Sequence, residues 1–304
     1  MDAITITNLR KRYDKLQAVK GISFSVKKGE LFGFLGPNGA GKTTTINCIT
    51  QLSTITSGKI SVLGKDVIKE YNEAKMLIGL SPQEPAFDYY FPLIDVLTYQ
   101  GGYYGMPWKE ARKRAKELLK KFHLADKEKA TAREISGGMK RRLSIAKALM
   151  HSPKILILDE PTAGLDVDAR FELWDLIREL QKEGMTIILT THYIEEAEKL
   201  CERIGIMNHG KLVKLEKTKK LLDDLSRNII RFHLKEHVAL PEVVRKHEFN
   251  YQDKVLEVFV AQKNQNTVLR ELLRLFESSK IPVENFTIEH DTLENIFRRI
   301  VNGK

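Results

Sequence analysis

No apolar run in this chain of 304 residues approaches the ~20 needed to cross a bilayer, so no membrane span is expected. The opening Met1-Asp2-Ala3-Ile4 has neither the basic nor the apolar region of a secretory leader. Cysteine is scarce. Cys48 and Cys201 lie far apart, each inside a helical pattern, which excludes a disulfide-built scaffold and fits buried, reduced thiols. Internal repeats and low-complexity tracts are missing too. These absences leave a chain expected in the cytosol and long enough to bury a sizeable core and hold two domains. Any work it does at a membrane needs another chain to supply the membrane part.

Charge is plentiful. Fifty Lys and Arg stand against forty Asp and Glu, a net of +10. Residues 228–304 carry 12 Lys/Arg and 11 Asp/Glu, so the basic excess sits in the first three-quarters of the chain. A basic balance suits phosphate ligands, nucleic acid or an anionic membrane surface and selects none of them. A solvated, lysine-rich surface is the commoner meaning.

The pattern of apolar residues alternates between strand and helix. Ile4, Ile6 and Leu9, then Ile22, Phe24 and Val26, have the period of half-buried strands. Between them Tyr13 sits in a basic, polar stretch. Leu31-Phe32-Gly33-Phe34-Leu35 and Ile155-Leu156-Ile157-Leu158 are uninterrupted, as central parallel strands covered on both faces are. Thr186-Ile187-Ile188-Leu189-Thr190 reads the same way, and a hairpin is expected through Asn208-His209-Gly210. Residues 84–150 change to helix, with Ala111, Ala115, Leu118, Leu119 and Phe122 at helical spacing among lysines and arginines. Lys217-Thr218-Lys219-Lys220 and the next few residues look like a linker. Beyond them a small α+β unit is expected: strands around Ile230-Phe232-Leu234, residues 255–260 and 286–288, helices near 241–247 and 268–276, and a last helix over 293–300.

The chemistry begins at Gly36-Pro37-Asn38-Gly39-Ala40-Gly41-Lys42-Thr43, which fits the phosphate-loop pattern G-x-x-x-x-G-K-[ST] between an apolar strand and a helix that starts near Thr44. Glycines let backbone N–H groups approach phosphates, and the helix N-terminus adds the positive end of its dipole. Lys42 is a point cation for the β- and γ-phosphates, and the Thr43 hydroxyl is a magnesium ligand. Asp159-Glu160, ending an apolar strand, supply a carboxylate beside that magnesium and a second one able to polarise an attacking water. Ser136-Gly137-Gly138, opening an amphipathic helix, form a second anion site at a helix end. Asp166 is a helix cap.

With these residues in view the chain resembles an ATP-binding cassette (ABC) ATPase. The phosphate loop, Gln83 after its strand, Ser136-Gly137-Gly138-Met139, Asp159-Glu160, Ala163-Gly164-Leu165-Asp166 and Thr191-His192 stand in family order over about residues 1–220. The resemblance implies an α/β fold of the P-loop NTPase, ABC type. That fold has a central, mostly parallel sheet, an antiparallel β subdomain and a helical insert over about 84–150. Here a small C-terminal α+β domain over 221–304 would follow. It further implies a head-to-tail pair of subunits, most simply a homodimer. Each ATP and Mg2+ would lie between Lys42 of one copy and Ser136, Gly137 and Gly138 of the other. Tyr13 would stack on adenine, Gln83 would touch magnesium and the attacking water, and Glu160 would be the general base. His192 would hold the γ-phosphate, and Asp166 would couple the two sites. The family's signature usually opens with leucine and has glutamine where this chain has Ile135 and Met139, but the serine and glycines are intact. Thr190-Thr191-His192-Tyr193-Ile194-Glu195-Glu196-Ala197-Glu198, and Asp291-Thr292-Leu293-Glu294-Asn295-Ile296-Phe297, resemble the ABC-2, drug- and polysaccharide-exporter-like branch.

The expected function is therefore that of a cytosolic ATPase subunit, peripheral on the cytoplasmic face of the membrane. It would drive a separate integral-membrane permease chain, with no nucleic acid as partner. The alternative is a non-transport ABC ATPase acting on nucleic acid or ribosomes. Such proteins commonly carry coiled-coil insertions or two cassettes per chain, and this sequence has neither. The exposed aromatic stretch after Gln83, residues 84–91, is the candidate docking surface for the permease.

Overall fold

A computed structural model of the chain describes residues 1–225, 227–241, 244, 246–261, 264–289 and 297. It divides into two compact units, Met1–Glu216 and Lys217–Lys304.

In the first unit, strands β1 (Asp2–Tyr13) and β2 (Leu16–Lys27) pair antiparallel, so β1 runs through the basic stretch to Tyr13. Strand β3 (Leu31–Leu35) is buried along its whole length and feeds helix α1 (Lys42–Ile49). Next come β4 (Ser57–Val62), β5 (Lys65–Asp66), α2 (Tyr71–Met76) and β6 (Ile78–Ser81). The insert holds α3 (Leu93–Tyr103), α4 (Trp108–Lys121) and α5 (Gly137–Ala148). The α/β alternation then resumes with β7 (Ile155–Asp159), α6 (Val167–Lys182), β8 (Thr186–Thr191), α7 (Ile194–Leu200), β9 (Arg203–Asn208) and β10 (Lys211–Lys217).

Two sheets result. The order β2-β1-β4-β5 makes an antiparallel layer, and β10-β9-β3-β8-β7-β6 makes the main one, in which β9, β3, β8, β7 and β6 pair parallel. The two layers share a core. Phe24 of β2 stacks on Phe32 of β3 with ring centres 5.4 Å apart and touches Phe34 at 5.3 Å. Such offset aromatic contacts contribute about 0.5–1.5 kcal/mol beyond their buried area. The helical stripe on α4 turns inward as its spacing predicts, with Ala111, Ala115, Leu118 and Leu119 buried.

The consequence for function lies in the register. Leu35 pairs with Thr191, and Asp159 with Thr190, so the ends of β3, β8 and β7 fall level at one edge of the sheet. In an open α/β sheet, ligands bind in the crevice outside the carboxyl ends of the strands.

In the second unit, α8 (Thr218–Leu225) occupies the stretch expected to be a linker. The lysines that suggest solvent are there, but Thr218 and Leu221 are buried, giving the segment an inward face. Strands β11 (Arg227–Leu234), β12 (Glu248–Gln252), β13 (Val255–Ala261) and β14 (Val283–Glu289) form an antiparallel sheet in the order β12-β13-β11-β14. Helix α9 (Gln265–Ser278) packs its buried Val268, Leu272 and Phe276 into one core with Ile230, Phe232, Leu256 and Val258. Strand β12 has no counterpart in the sequence reading, because Phe249 and Tyr251 are its only apolar residues. The expected last helix over 293–300 lies outside the described residues, apart from Phe297.

Candidate functional site

The loop between β3 and α1 is shaped by glycine where nothing larger fits. Gly41 has φ +103°, and a Cβ there would sit 2.6 Å from the Ala18 carbonyl oxygen. A Cβ on Gly36 would lie 2.6 Å from the carbonyl oxygen of Met207. Helix α1 starts with no side-chain cap, so the N–H groups of Lys42, Thr43 and Thr44 are left for an anion. Lys42 is 4% exposed. Its ammonium donates to the carbonyls of Gly36 at 2.7 Å and Pro37 at 3.2 Å and lies 3.5 Å from Glu160 Oε1. Burial pulls its pKa below the ordinary lysine value, opposed by the negative charges of Glu160 and Asp159.

Around this loop opens a cleft of about 500 Å³ lined by Tyr13, Asn38, Gly39, Ala40, Gly41, Lys42, Thr43, Thr44, Gln83 and Glu160, and also by Gln17, Lys20 and His209. Tyr13 is about half exposed, with Lys11 Nζ 4.4 Å from its ring centre, and its hydroxyl meets Ser53 Oγ at 2.9 Å.

Glu160 is where the strand ends meet. It is 6% exposed. Its Oε2 accepts from Gln83 Nε2 at 3.2 Å and faces His192 Nδ1 at 3.1 Å. Its backbone sits at φ +46°, in the left-handed region, a conformation that costs a non-glycine residue about 1–3 kcal/mol and persists where surroundings over-determine it. Here they do: Glu160 N–H donates to both the Thr190 carbonyl (3.1 Å) and hydroxyl (3.0 Å). One residue back, Asp159 accepts from the Thr190 hydroxyl, and its Oδ1 is 3.3 Å from Thr43 Oγ1. A hydroxyl and a carboxylate so placed are hard oxygen donors suited to magnesium, which is usually held by one or two carboxylates together with substrate phosphates.

Lys42, Thr43, Gln83, Asp159, Glu160 and His192 thus converge. Asp159 and His192 join this group through Thr43 and Glu160 and not through the cleft lining, whereas Ser136, Gly137, Gly138 and Asp166 neither line the cleft nor hydrogen-bond to any of the six. Ser136 caps α5, accepting from Met139 N–H at 3.2 Å, and Asp166 caps α6, accepting from Ala169 N–H at 2.8 Å. The α5 start abuts that of α6: a Cβ on Gly138 would meet Ala169 Cβ at 3.1 Å.

Sequence reasoning passed over Thr190, which orders both acids, and Arg141, which lies buried against the same backbone. Thr190 ends an apolar strand and carries no motif of its own. Arg141 stands in the run Lys140-Arg141-Arg142, which reads as a solvated face.

Comparison with known proteins decides what this arrangement belongs to. The ABC transporter family model matches residues 19–163. The linearmycin resistance ATP-binding protein LnrL of Bacillus subtilis (strain 168) is 38% identical over 296 residues, 95% of this chain and 95% of that protein. This chain belongs to the ABC transporter ATP-binding proteins. The Nod factor export ATP-binding protein I of Ralstonia nicotianae is 40% identical over 219 residues, covering 72% of this chain and 68% of its own. Among solved structures, cbiO1 from Clostridium perfringens, part of the transporter complex cbiONQ, overlays with a TM-score of 0.67 at 31% identity, over 72% of this chain and 90% of that one. The ATP-binding cassette MJ0796, solved as a dimer in a post-hydrolysis state with ADP and Pi, overlays at 0.65 with 27% identity, over 71% and 98%. The fold is the ABC cassette, and this ABC protein is an ATPase that powers a transporter.

Proposed function

We propose that this ABC ATPase works as a head-to-tail pair on the cytoplasmic face of a membrane and drives export through a separate permease chain. The observation that carries the reading is the split of its anion sites. Lys42, Thr43, Gln83, Asp159, Glu160 and His192 gather at the strand ends, while the Ser136-capped helix end lies outside that cleft. A single chain then holds half of each ATP site, and a second copy completes it.

In this reading the α1 N-terminus and Lys42 bind the β- and γ-phosphates, and Tyr13 stacks on the adenine. Thr43 and Asp159 would hold Mg2+, with Gln83 beside them; when bound, the ion would neutralise negative charge on the phosphates. Glu160 takes a proton from the attacking water, and His192 orients Glu160 and reaches toward the γ-phosphate. Asp166, at the α6 cap beside the α5 start, is placed to relate one site to the other.

Export is supported by the names of the relatives, which assign them linearmycin resistance and Nod factor export. A permease partner is supported by the cbiONQ complex of the structural neighbour and by the surface next to Gln83. There a cavity of about 280 Å³, lined by Tyr71, Lys75, Pro82, Ala86, Gln100 and Tyr104, shares Gln100 and Lys147 with a second hollow at Phe91 and Tyr99, and Tyr89, Tyr90 and Phe91 are exposed. No described helix is long and apolar enough to cross a membrane.

Phosphate release by Glu160→Gln tests the assignment. The variant should bind ATP as the parent does and release phosphate ~10²–10⁴ times more slowly, the usual worth of a general base. Parental turnover would remove Glu160 from that role.

A further inference from the structure

Arg141 projects from the first turns of α5, five residues after the Ser136 cap, yet its side chain is 4% exposed. Its guanidinium donates to three backbone carbonyls: Pro82 at 2.7 Å, Gln83 at 2.8 Å and Glu160 at 3.2 Å. No acidic side chain forms an ion pair with it among the described residues. These acceptors are not arbitrary. Two belong to the turn that aims Gln83 at Glu160, and the third belongs to Glu160, whose left-handed backbone must be held from both sides. Thr190 holds its N–H side, and Arg141 holds its carbonyl side.

We propose that Arg141 is a positioning residue for hydrolysis: it clamps the Gln83 turn and the Glu160 backbone to α5, so that the Ser136 end of that helix moves as one body with the water-activating carboxylate. A planar guanidinium holds its five donors in a fixed fork that serves three carbonyls at once; a lysine ammonium has three donors but they radiate from one atom on a flexible stem and do not reproduce that spacing. Closure of a second copy on the Ser136 end then bears directly on the geometry of Glu160 in the same chain, a path from dimer closure to chemistry that runs through one side chain.

The inference rests on Glu160 being the general base. Steady-state hydrolysis, equilibrium ATP binding and thermal melting of the full chain are measured for Arg141→Ala, Arg141→Lys and Glu160→Gln. Loss of alignment at the reacting centre costs up to ~10²-fold. The Arg141 variants should therefore lose about ten- to a hundredfold in kcat while their ATP affinity stays within about threefold. Millimolar methylguanidinium should restore part of the Arg141→Ala rate and none of the Glu160→Gln rate. If Arg141→Ala does not fold, Arg141→Lys carries the kcat-against-affinity comparison. Parental kcat in folded Arg141 variants, with Glu160→Gln slow, overturns this inference alone. A fall in affinity matching the fall in kcat, without rescue, also overturns it, by assigning Arg141 to the fold. Parental kcat in Glu160→Gln overturns the base assignment and this inference with it.

Discussion

Replacing Lys42 by alanine removes a buried cation whose surroundings allow its worth to be worked out. In the free protein the ammonium already has partners: the Gly36 and Pro37 carbonyls and the Glu160 carboxylate. Turning it to phosphate exchanges those two neutral acceptors for charged ones. A hydrogen bond to a charged group contributes about 1.5–3 kcal/mol, so losing one ammonium–phosphate bond that no other group replaces costs about 2–3 kcal/mol. Lys42→Ala should therefore weaken ATP binding ~30–150-fold. Titration with a fluorescent nucleotide measures this directly, and a Kd within about threefold of the parent would refute the placement of phosphate at this loop. The same site has a pH signature. Burial lowers the Lys42 pKa, and the charged form is the one that binds. Affinity should hold below that depressed pKa and fall as pH rises through it, starting earlier than an ordinary lysine allows. In Glu160→Gln the fall should start earlier still, because the carboxylate that supports the Lys42 charge is gone. A flat alkaline profile would show that the Lys42 charge is not used.

Two further outcomes concern residues away from the nucleotide. Glu196 is fully buried on α7, its Oε1 accepting from Trp174 Nε1 at 3.2 Å, and burial raises its pKa. A raised carboxylate pKa means that the ionised form costs stability above the folded pKa and that the cost vanishes below the unfolded one. Glu196→Gln, which keeps an acceptor for Trp174, should raise the melting temperature near neutral pH. The gain should shrink in acid, and a melting point lowered at neutral pH would contradict the argument. Alanine at Tyr90 and Phe91, both exposed, should leave basal hydrolysis intact and abolish stimulation by the permease. Unchanged co-purification and stimulation would move the docking surface elsewhere.

Local motifs were legible in the sequence because their physics is local. A phosphate loop needs its glycines, lysine and threonine within eight residues, and residues 36–43 supply them. Asp159-Glu160 could be read from the apolar strand before them, and α4 from Ala111, Ala115, Leu118 and Leu119. What the sequence hid is set by tertiary contact. Gln83 meets Glu160 across 77 positions. Arg141 is buried because three carbonyls from two other segments surround it, whereas its neighbours Lys140 and Arg142 in the basic run are more exposed. The left-handed backbone of Glu160 has no signature in a non-glycine residue. Helix α8 begins in a run of lysines that reads as solvated, and the burial of Thr218 and Leu221 is set by the fold around them.

In the proposed mechanism one chain holds half of each ATP site. The mass of the Glu160→Gln protein in solution, measured by light scattering with and without ATP and magnesium, tests it most directly. A monomer is expected without nucleotide and a dimer with it, the dimer being lost when Ser136→Arg is added. A protein that stays monomeric with ATP bound, while the parent hydrolyses ATP at a specific rate independent of protein concentration, would contradict it.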